Sequence, residues 1–196
     1  MDELLRPEGI AAAAAIIIAV VAVFSIIIHT FINGISPMPS SWKARRAIAA
    51  ILAGEMKTGS IAELGSGWGT LLPVLSRKLP QCAITGFENS PVPFLFSRLL
   101  LLCMRRKQIR VIFGSFYETP LAPYDAVVCY LYPGAMEKLK LKFTRELKPG
   151  SLIISNTFAV PGWEPERTVV LNDFFRSPVY VYRMGPGNSG NTLFIG

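Results

Sequence analysis

Residues 10–32 form a run of 23 side chains with no charge, polar only at Ser25, His29 and Thr30. At about 1.5 Å per residue such a helix reaches roughly 34 Å, enough to cross a hydrocarbon core of about 30 Å. A helix covering a soluble core needs one apolar stripe, whereas this one is apolar on every face. A cleaved signal is disfavoured because the preceding segment carries Asp2, Glu3 and Glu8 against Arg6 alone, and the run exceeds the usual length of such signals. The sequence therefore predicts a tail over 1–9, a membrane helix over 10–32, a linker over 33–41 and one domain over 42–196. His29, near the end of the span, reads as a satisfied interfacial residue.

Charge gives the orientation. Lys43, Arg45 and Arg46 follow the span and only Arg6 precedes it, so the domain is expected on the cytoplasmic side or its equivalent. After residue 32 stand 19 of the 20 basic residues and 10 of the 13 acidic ones, a net charge of +9 that suits an anionic membrane face. The cations are scattered and accompany no nucleic-acid motif, so nucleic acid is not the expected partner. Cys82, Cys103 and Cys129 are far apart in apolar runs with no Cys/His ligand spacing, so neither a disulfide scaffold nor a metal site is expected. A reduced compartment fits that usage.

Past the linker, whose Gly34, Pro37 and Pro39 break regular structure, two periodicities alternate. Ser41 caps a helix over about 42–52. Strands are predicted over 60–64, 82–87, 109–113, 126–131 and 152–155, with helices over 70–78, 92–106 and 135–147 between them. Alternation of this kind specifies an α/β fold, a mostly parallel sheet with helices on both faces. Two further β-rich runs, 168–171 and 179–182, flank a short turn and read as an antiparallel terminal hairpin. Only the glycine-rich stretch 185–190 approaches low complexity.

The chemistry begins at Ile61-Ala-Glu-Leu-Gly-Ser-Gly-Trp-Gly-Thr70, a strand that feeds a glycine turn opening a helix. Gly65, Gly67 and Gly69 let backbone approach a ligand where side chains would collide, and a helix start offers unpaired N–H groups. Glu63 precedes the first glycine by two residues, and Glu88 ends the next strand, where an acid can accept hydrogen bonds from both hydroxyls of a ribose. A nicotinamide dinucleotide site needs a third glycine where this chain has Thr70.

The pattern E-x-G-x-G-x-G instead resembles the first motif of class I S-adenosylmethionine-dependent methyltransferases, with a Rossmann-like, mostly parallel seven-strand sheet. Gly86-Phe-Glu-Asn-Ser90, Tyr124-Asp-Ala-Val-Val-Cys-Tyr130 and Glu146-Leu-Lys-Pro-Gly150 follow in the family's order. The resemblance implies S-adenosylmethionine as cofactor, its amino-acid part held by Glu63, Gly65, Ser66, Gly67 and Gly69 and its ribose by Glu88 and Asn89. Many members carry an aspartate for the adenine amino group after the third strand. Here Phe113-Gly-Ser-Phe-Tyr117 stands instead, which leaves Ser115 to hydrogen-bond and Phe116 to pack on adenine. The long helix between the last parallel strand and the hairpin is also missing, so the substrate side is trimmed.

With the single anchor, Tyr130-Leu-Tyr-Pro133 and Ser155-Asn-Thr-Phe-Ala-Val-Pro-Gly-Trp163 resemble the small membrane-anchored protein-lysine methyltransferases, which include the mitochondrial enzymes acting on the ATP synthase c subunit. The resemblance implies transfer of a methyl group to a lysine of a membrane-associated protein, at the mitochondrial inner membrane if the chain is eukaryotic. Tyr130, Tyr132, Phe158 and Trp163, with Pro133 and Pro161 fixing their loops, are expected to line a substrate mouth at the carboxyl ends of the strands. Methylation of a lipid or quinone-like molecule and a non-catalytic cofactor-binding scaffold remain open as alternatives. The helix over 92–106 is apolar around nearly its whole circumference and ends in a basic run, Arg105, Arg106, Lys107 and Arg110, so it is expected either to lie partly in the membrane interface or to have its surplus apolar face covered by a neighbouring helix or a second copy.

Overall fold

The computed structural model describes residues 6–34, 39–104 and 106–185, without the side chains of residues 32 and 33. Most of the expected 1–9 tail, the middle of the 33–41 linker, Arg105 and all of the 185–190 stretch but Gly185 lie outside the described residues.

The first element, α1 (Pro7–Asn33), starts on a proline, whose missing N–H costs nothing in a first turn, and ends on Gly34 in the left-handed region at φ 67°. Its length and composition suffice to cross a membrane over Pro7–Phe31, and none of its most apolar stretch is covered by the rest of the chain. A short α2 (Trp42–Glu55) follows; its first turn is capped by the Ser41 hydroxyl, which accepts from the Ala44 N–H at 3.1 Å. It runs on through Gly54, one turn beyond the expected end, with Glu55 bound to Arg167 at 3.1 Å and Arg183 at 2.8 Å.

Five parallel strands come next, β1 (Thr58–Leu64), β2 (Gln81–Glu88), β3 (Ile109–Phe113), β4 (Ala126–Cys129) and β5 (Leu152–Asn156). Between them lie α3 (Leu72–Lys78), α4 (Pro91–Met104) and α5 (Pro133–Glu146). The hairpin β6 (Arg167–Val170) and β7 (Pro178–Arg183) closes the sheet, whose order is β3-β2-β1-β4-β5-β7-β6 with β7 antiparallel to both neighbours.

Side-chain alternation along the strands divides the core into two layers. Ile61, Ile84, Val111, Val128 and Ile154 pack with Ile48 and Leu52 of α2 and Leu72 and Leu75 of α3. Ala62, Leu64, Phe87, Val127 and Ile153 point the other way, toward Ala135, Met136, Leu139 and Phe143 of α5. β4 and β5 are buried along their whole length, which is why their sequences are continuous apolar runs instead of alternating ones. Chain order reverses between β1 and β4, and in an open α/β sheet that is where a crevice opens outside the carboxyl ends of the strands.

Candidate functional site

The crevice holds a cavity floored by the turn after β1. That turn is folded by its own backbone: Ser66 N–H donates to the Phe87 carbonyl at 2.9 Å and Gly69 N–H to the Ser66 carbonyl at 2.9 Å. Gly65, Gly67 and Gly69 all have positive φ, at 72°, 52° and 68°, but their surroundings differ. A methyl group built on Gly65 would stand 3.1 Å from Leu131, and one on Gly69 would collide with Cβ of Ser97 on α4 at 2.7 Å. One on Gly67 would meet nothing within 4 Å. Gly69 therefore lets α4 pack against the turn, whereas Gly67 leaves room above it. Gly86 belongs to the same arrangement, since a side chain there would meet Ser66 at 2.9 Å.

Glu88 is buried, and its carboxylate accepts from Gly67 N–H and from Ser90 N–H, each at 2.7 Å. It thus ties the glycine turn to the end of β2 while retaining lone pairs for a ligand. Glu63 lies at the floor of the cavity. Its Oε2 and the Ser66 hydroxyl are buried without a hydrogen-bond partner among the described residues. Burial, and after it the neighbouring Glu88 carboxylate, pushes the Glu63 carboxyl well above its ordinary value. A buried acceptor without a donor costs about 1–3 kcal/mol, so a ligand that brings N–H groups and positive charge is favoured at that spot. The amino-acid end of S-adenosylmethionine has both, and the residues present fit it.

Of the residues expected at the site, Glu63, Gly65, Ser66, Gly67, Glu88, Asn89 and Phe116 line the cavity, together with Tyr130 and Tyr132. The others stand elsewhere. Gly69 faces Ser97, as above. Ser115 accepts from Tyr117 N–H at 3.2 Å and is occupied in a turn. Pro133 starts α5. Trp163 is buried in the α5-side core, edge-on to Tyr182 at 6.2 Å, because the 157–166 connection folds over the sheet and not over the mouth. Phe158 stacks on Tyr130 at 6.2 Å and backs the mouth from behind.

Sequence reasoning missed several wall residues. Tyr117 and Lys138 line the cavity, with the Lys138 ammonium 5.8 Å from the Tyr117 ring; burial, then Tyr132, raises the Tyr117 hydroxyl. Asn156 ends β5 in the wall. It is followed by Thr157 at φ 68°, a strained conformation for a β-branched residue. His29 also lines the cavity, its Nδ1 donating to the Ser25 carbonyl at 2.8 Å, and a methyl on Gly34 would touch the Tyr132 ring at 2.9 Å. No local motif marks these residues: Tyr117, Lys138 and Asn156 come from separate elements of the domain, and His29 reaches the wall because the end of α1 lies at the mouth. Cys129 is a wall residue without nucleophilic character, because burial pushes its thiol up to about 12 despite a hydrogen bond with Ser155.

Strand order, reversed β7 and the glycine turn between two buried acids define the class I methyltransferase fold. Residues 63–167, just over half of the chain, match the family described as the ANTKMT methyltransferase domain, and the chain belongs to that family. The fold is shared with an RNA methyltransferase from Salinibacter ruber solved with S-adenosyl-L-homocysteine. The TM-score is 0.67 at 24% identity, over 76% of this chain and 95% of that one. It is also shared with precorrin-6y C5,15-methyltransferase from Geobacter metallireducens, with a TM-score of 0.54 at 17% identity over 74% and 90%. A protein-lysine N-methyltransferase of Saccharolobus islandicus is 32% identical over 76 residues, which are 38% of this chain and 47% of that protein. The match thus spans about half the length of that relative.

Proposed function

We propose that this chain is a membrane-anchored S-adenosylmethionine-dependent methyltransferase whose acceptor is a lysine side chain of a membrane-associated protein. The observation that carries the cofactor is the unpartnered oxygen of Glu63 beneath a turn kept open by Gly67. Bound there, the cofactor supplies an electrophilic methyl group on a sulfonium sulfur. Glu63 holds its ammonium, Glu88 its ribose hydroxyls and Phe116 a face of its adenine.

An acceptor lysine, with an ordinary pKa near 10.4, must lose its proton before it attacks. Tyr130 and Tyr132, with Phe158 behind Tyr130, make an aromatic mouth that disfavours the ammonium form and excludes water. A lysine acceptor is supported by the protein-lysine N-methyltransferase relative. A membrane-associated acceptor is supported by α1, whose His29 and Gly34 border the same mouth. A cytoplasmic location of the domain is supported by the basic cluster Lys43, Arg45 and Arg46 just after α1.

Membranes from cells lacking the protein, incubated with the full chain and cofactor labelled in the methyl group, test the acceptor. Label in acid-stable N-methyllysine of a protein supports the proposal. Label that extracts into organic solvent assigns a lipid or quinone-like acceptor instead, and cofactor binding with no transfer to either reduces the chain to a scaffold.

A further inference from the structure

The connection between β6 and β7 carries a feature that the methyl-transfer site does not use. β5 is parallel to β1 and β4 and ends at Asn156, which pairs with Val179 at the start of β7, while Val170 at the end of β6 pairs with Pro178. Residues 171–177 therefore leave and re-enter the sheet at its carboxyl edge, where the cavity opens. At their tip stand Phe174, 94% exposed, and Phe175, 82% exposed, with rings edge to face at 5.2 Å.

The turn that presents them is built. Arg176 N–H donates to the Asp173 carbonyl at 3.2 Å, Ser177 N–H to Asp173 Oδ1 at 2.8 Å and Leu171 N–H to the Ser177 carbonyl at 2.9 Å. Lys43 at the start of α2 donates to the Asn172 carbonyl. Arg176 itself is held at φ 49°, unusual for a residue with a side chain. Single exposed apolar residues are ordinary, but two adjacent phenyl rings on a hydrogen-bonded tip are a patch. Next to it, across Lys43, lies half-exposed Trp42, with the Arg45 and Arg46 guanidinium groups 5.4 and 5.7 Å from its ring. The partly exposed carboxylate of the turn, Asp173, accepts from Ser177 N–H and has the Lys43 ammonium as its neighbouring counter-charge. Around this tip the rings of Phe174, Phe175 and Trp42 stand with the cations Lys43, Arg45, Arg46 and Arg176, against the carboxylate of Asp173.

We propose that the Phe174–Phe175 tip and Trp42 insert into an anionic phospholipid surface, with Arg46 and Arg176 meeting its headgroups, so that the carboxyl edge of the sheet is the membrane-facing edge. Aromatic side chains favour the headgroup boundary and cations favour anionic lipid. The proposal rests on α1 lying in the bilayer, since α1 ends against Tyr132 at this same edge. It deepens the proposed function by setting the mouth at headgroup depth, so that acceptor lysines lie at the membrane boundary.

The test uses the full chain with the exposed Cys103 changed to Ser and one reporter cysteine carrying an environment-sensitive dye, in vesicles at high lipid-to-protein ratio. Reporters are Phe174→Cys and Phe175→Cys, each keeping one ring, Gln81→Cys at the opposite edge, and Val21→Cys in α1. Vesicles contain phosphatidylcholine with or without phosphatidylglycerol, plus a nitroxide-labelled lipid. The expected result is several-fold stronger quenching at 174 and 175 than at 81, with blue-shifted emission, in phosphatidylglycerol vesicles. Quenching at 21 with 174 and 175 no different from 81 overturns the proposal and leaves the anchor standing. No quenching at any position removes the anchor and the proposal together. Equal insertion in neutral vesicles overturns the anionic assignment, and thiol cross-linking between copies through 174 assigns the patch to a second copy instead.

Discussion

At the scale of single residues, the two acids and three glycines of the motif separate into different tasks. Glu63→Gln is expected to weaken cofactor binding at least tenfold, since a hydrogen bond to a charged group is worth about 1.5–3 kcal/mol. It should also change the pH dependence of stability without ligand. A carboxyl whose folded-state pKa is raised leaves stability intact below its unfolded-state pKa and loses it as pH rises toward the folded value. Thermal unfolding between acidic and alkaline pH should therefore show a decline in wild type that Glu63→Gln flattens; a parallel pair of curves would remove the assignment. The glycines give a second comparison. Gly67→Ala is expected to cost about 1–2 kcal/mol for the left-handed backbone and to fill the space above the turn, so affinity falls. Gly69→Ala adds a collision with Ser97 of α4 and should lose about 1–3 kcal/mol more in stability. Urea unfolding alongside calorimetric titration of both variants checks the ordering.

Among the elements, α4 is the one whose composition and packing disagree most. Only Pro93 and Ser97 of its fourteen residues are buried, while Leu95, Phe96, Leu99 and Leu102 are exposed. Leu99→Glu and Leu102→Glu should stay within about 0.5 kcal/mol of wild type in urea unfolding, as exposed substitutions do. Leu72→Ala in the short α3, where Leu72 is fully buried, should cost about 2–5 kcal/mol. A large loss at Leu99 would show that its face is covered in solution. The boundaries of the elements were largely legible because the period changes sharply between strands and helices, and because Ser41 marks a helix start; α5 begins at Pro133, two residues before the expected 135, because that proline opens its first turn instead of fixing a loop. The early end expected for α2 at Gly54 failed for a tertiary reason: Glu55 is held by Arg167 and Arg183 of the hairpin, which draws the last turn through the glycine.

For the whole molecule, the prediction concerns sidedness. With α1 across sealed vesicles, a cysteine at Glu8 should react with an impermeant reagent on the side opposite to one at Gln81. Reaction of both on one side would mean that the helix lies on the membrane without crossing it.

What the sequence by itself determined was whatever depends on neighbours along the chain: the apolar run of α1, the alternation that makes a parallel sheet, and the strand–glycine–helix motif with its acids Glu63 and Glu88. These are set by backbone sterics and side-chain periodicity within a few residues. Only the tertiary structure decided that Trp163 packs on Tyr182 in the core and not in the mouth, that Gly69 serves α4, and that Asn156, Lys138 and His29 join the cavity wall. Those contacts link segments tens of residues apart. Whether an aromatic lines a mouth or fills a core depends on which strand edge its loop crosses, and no local spacing encodes that.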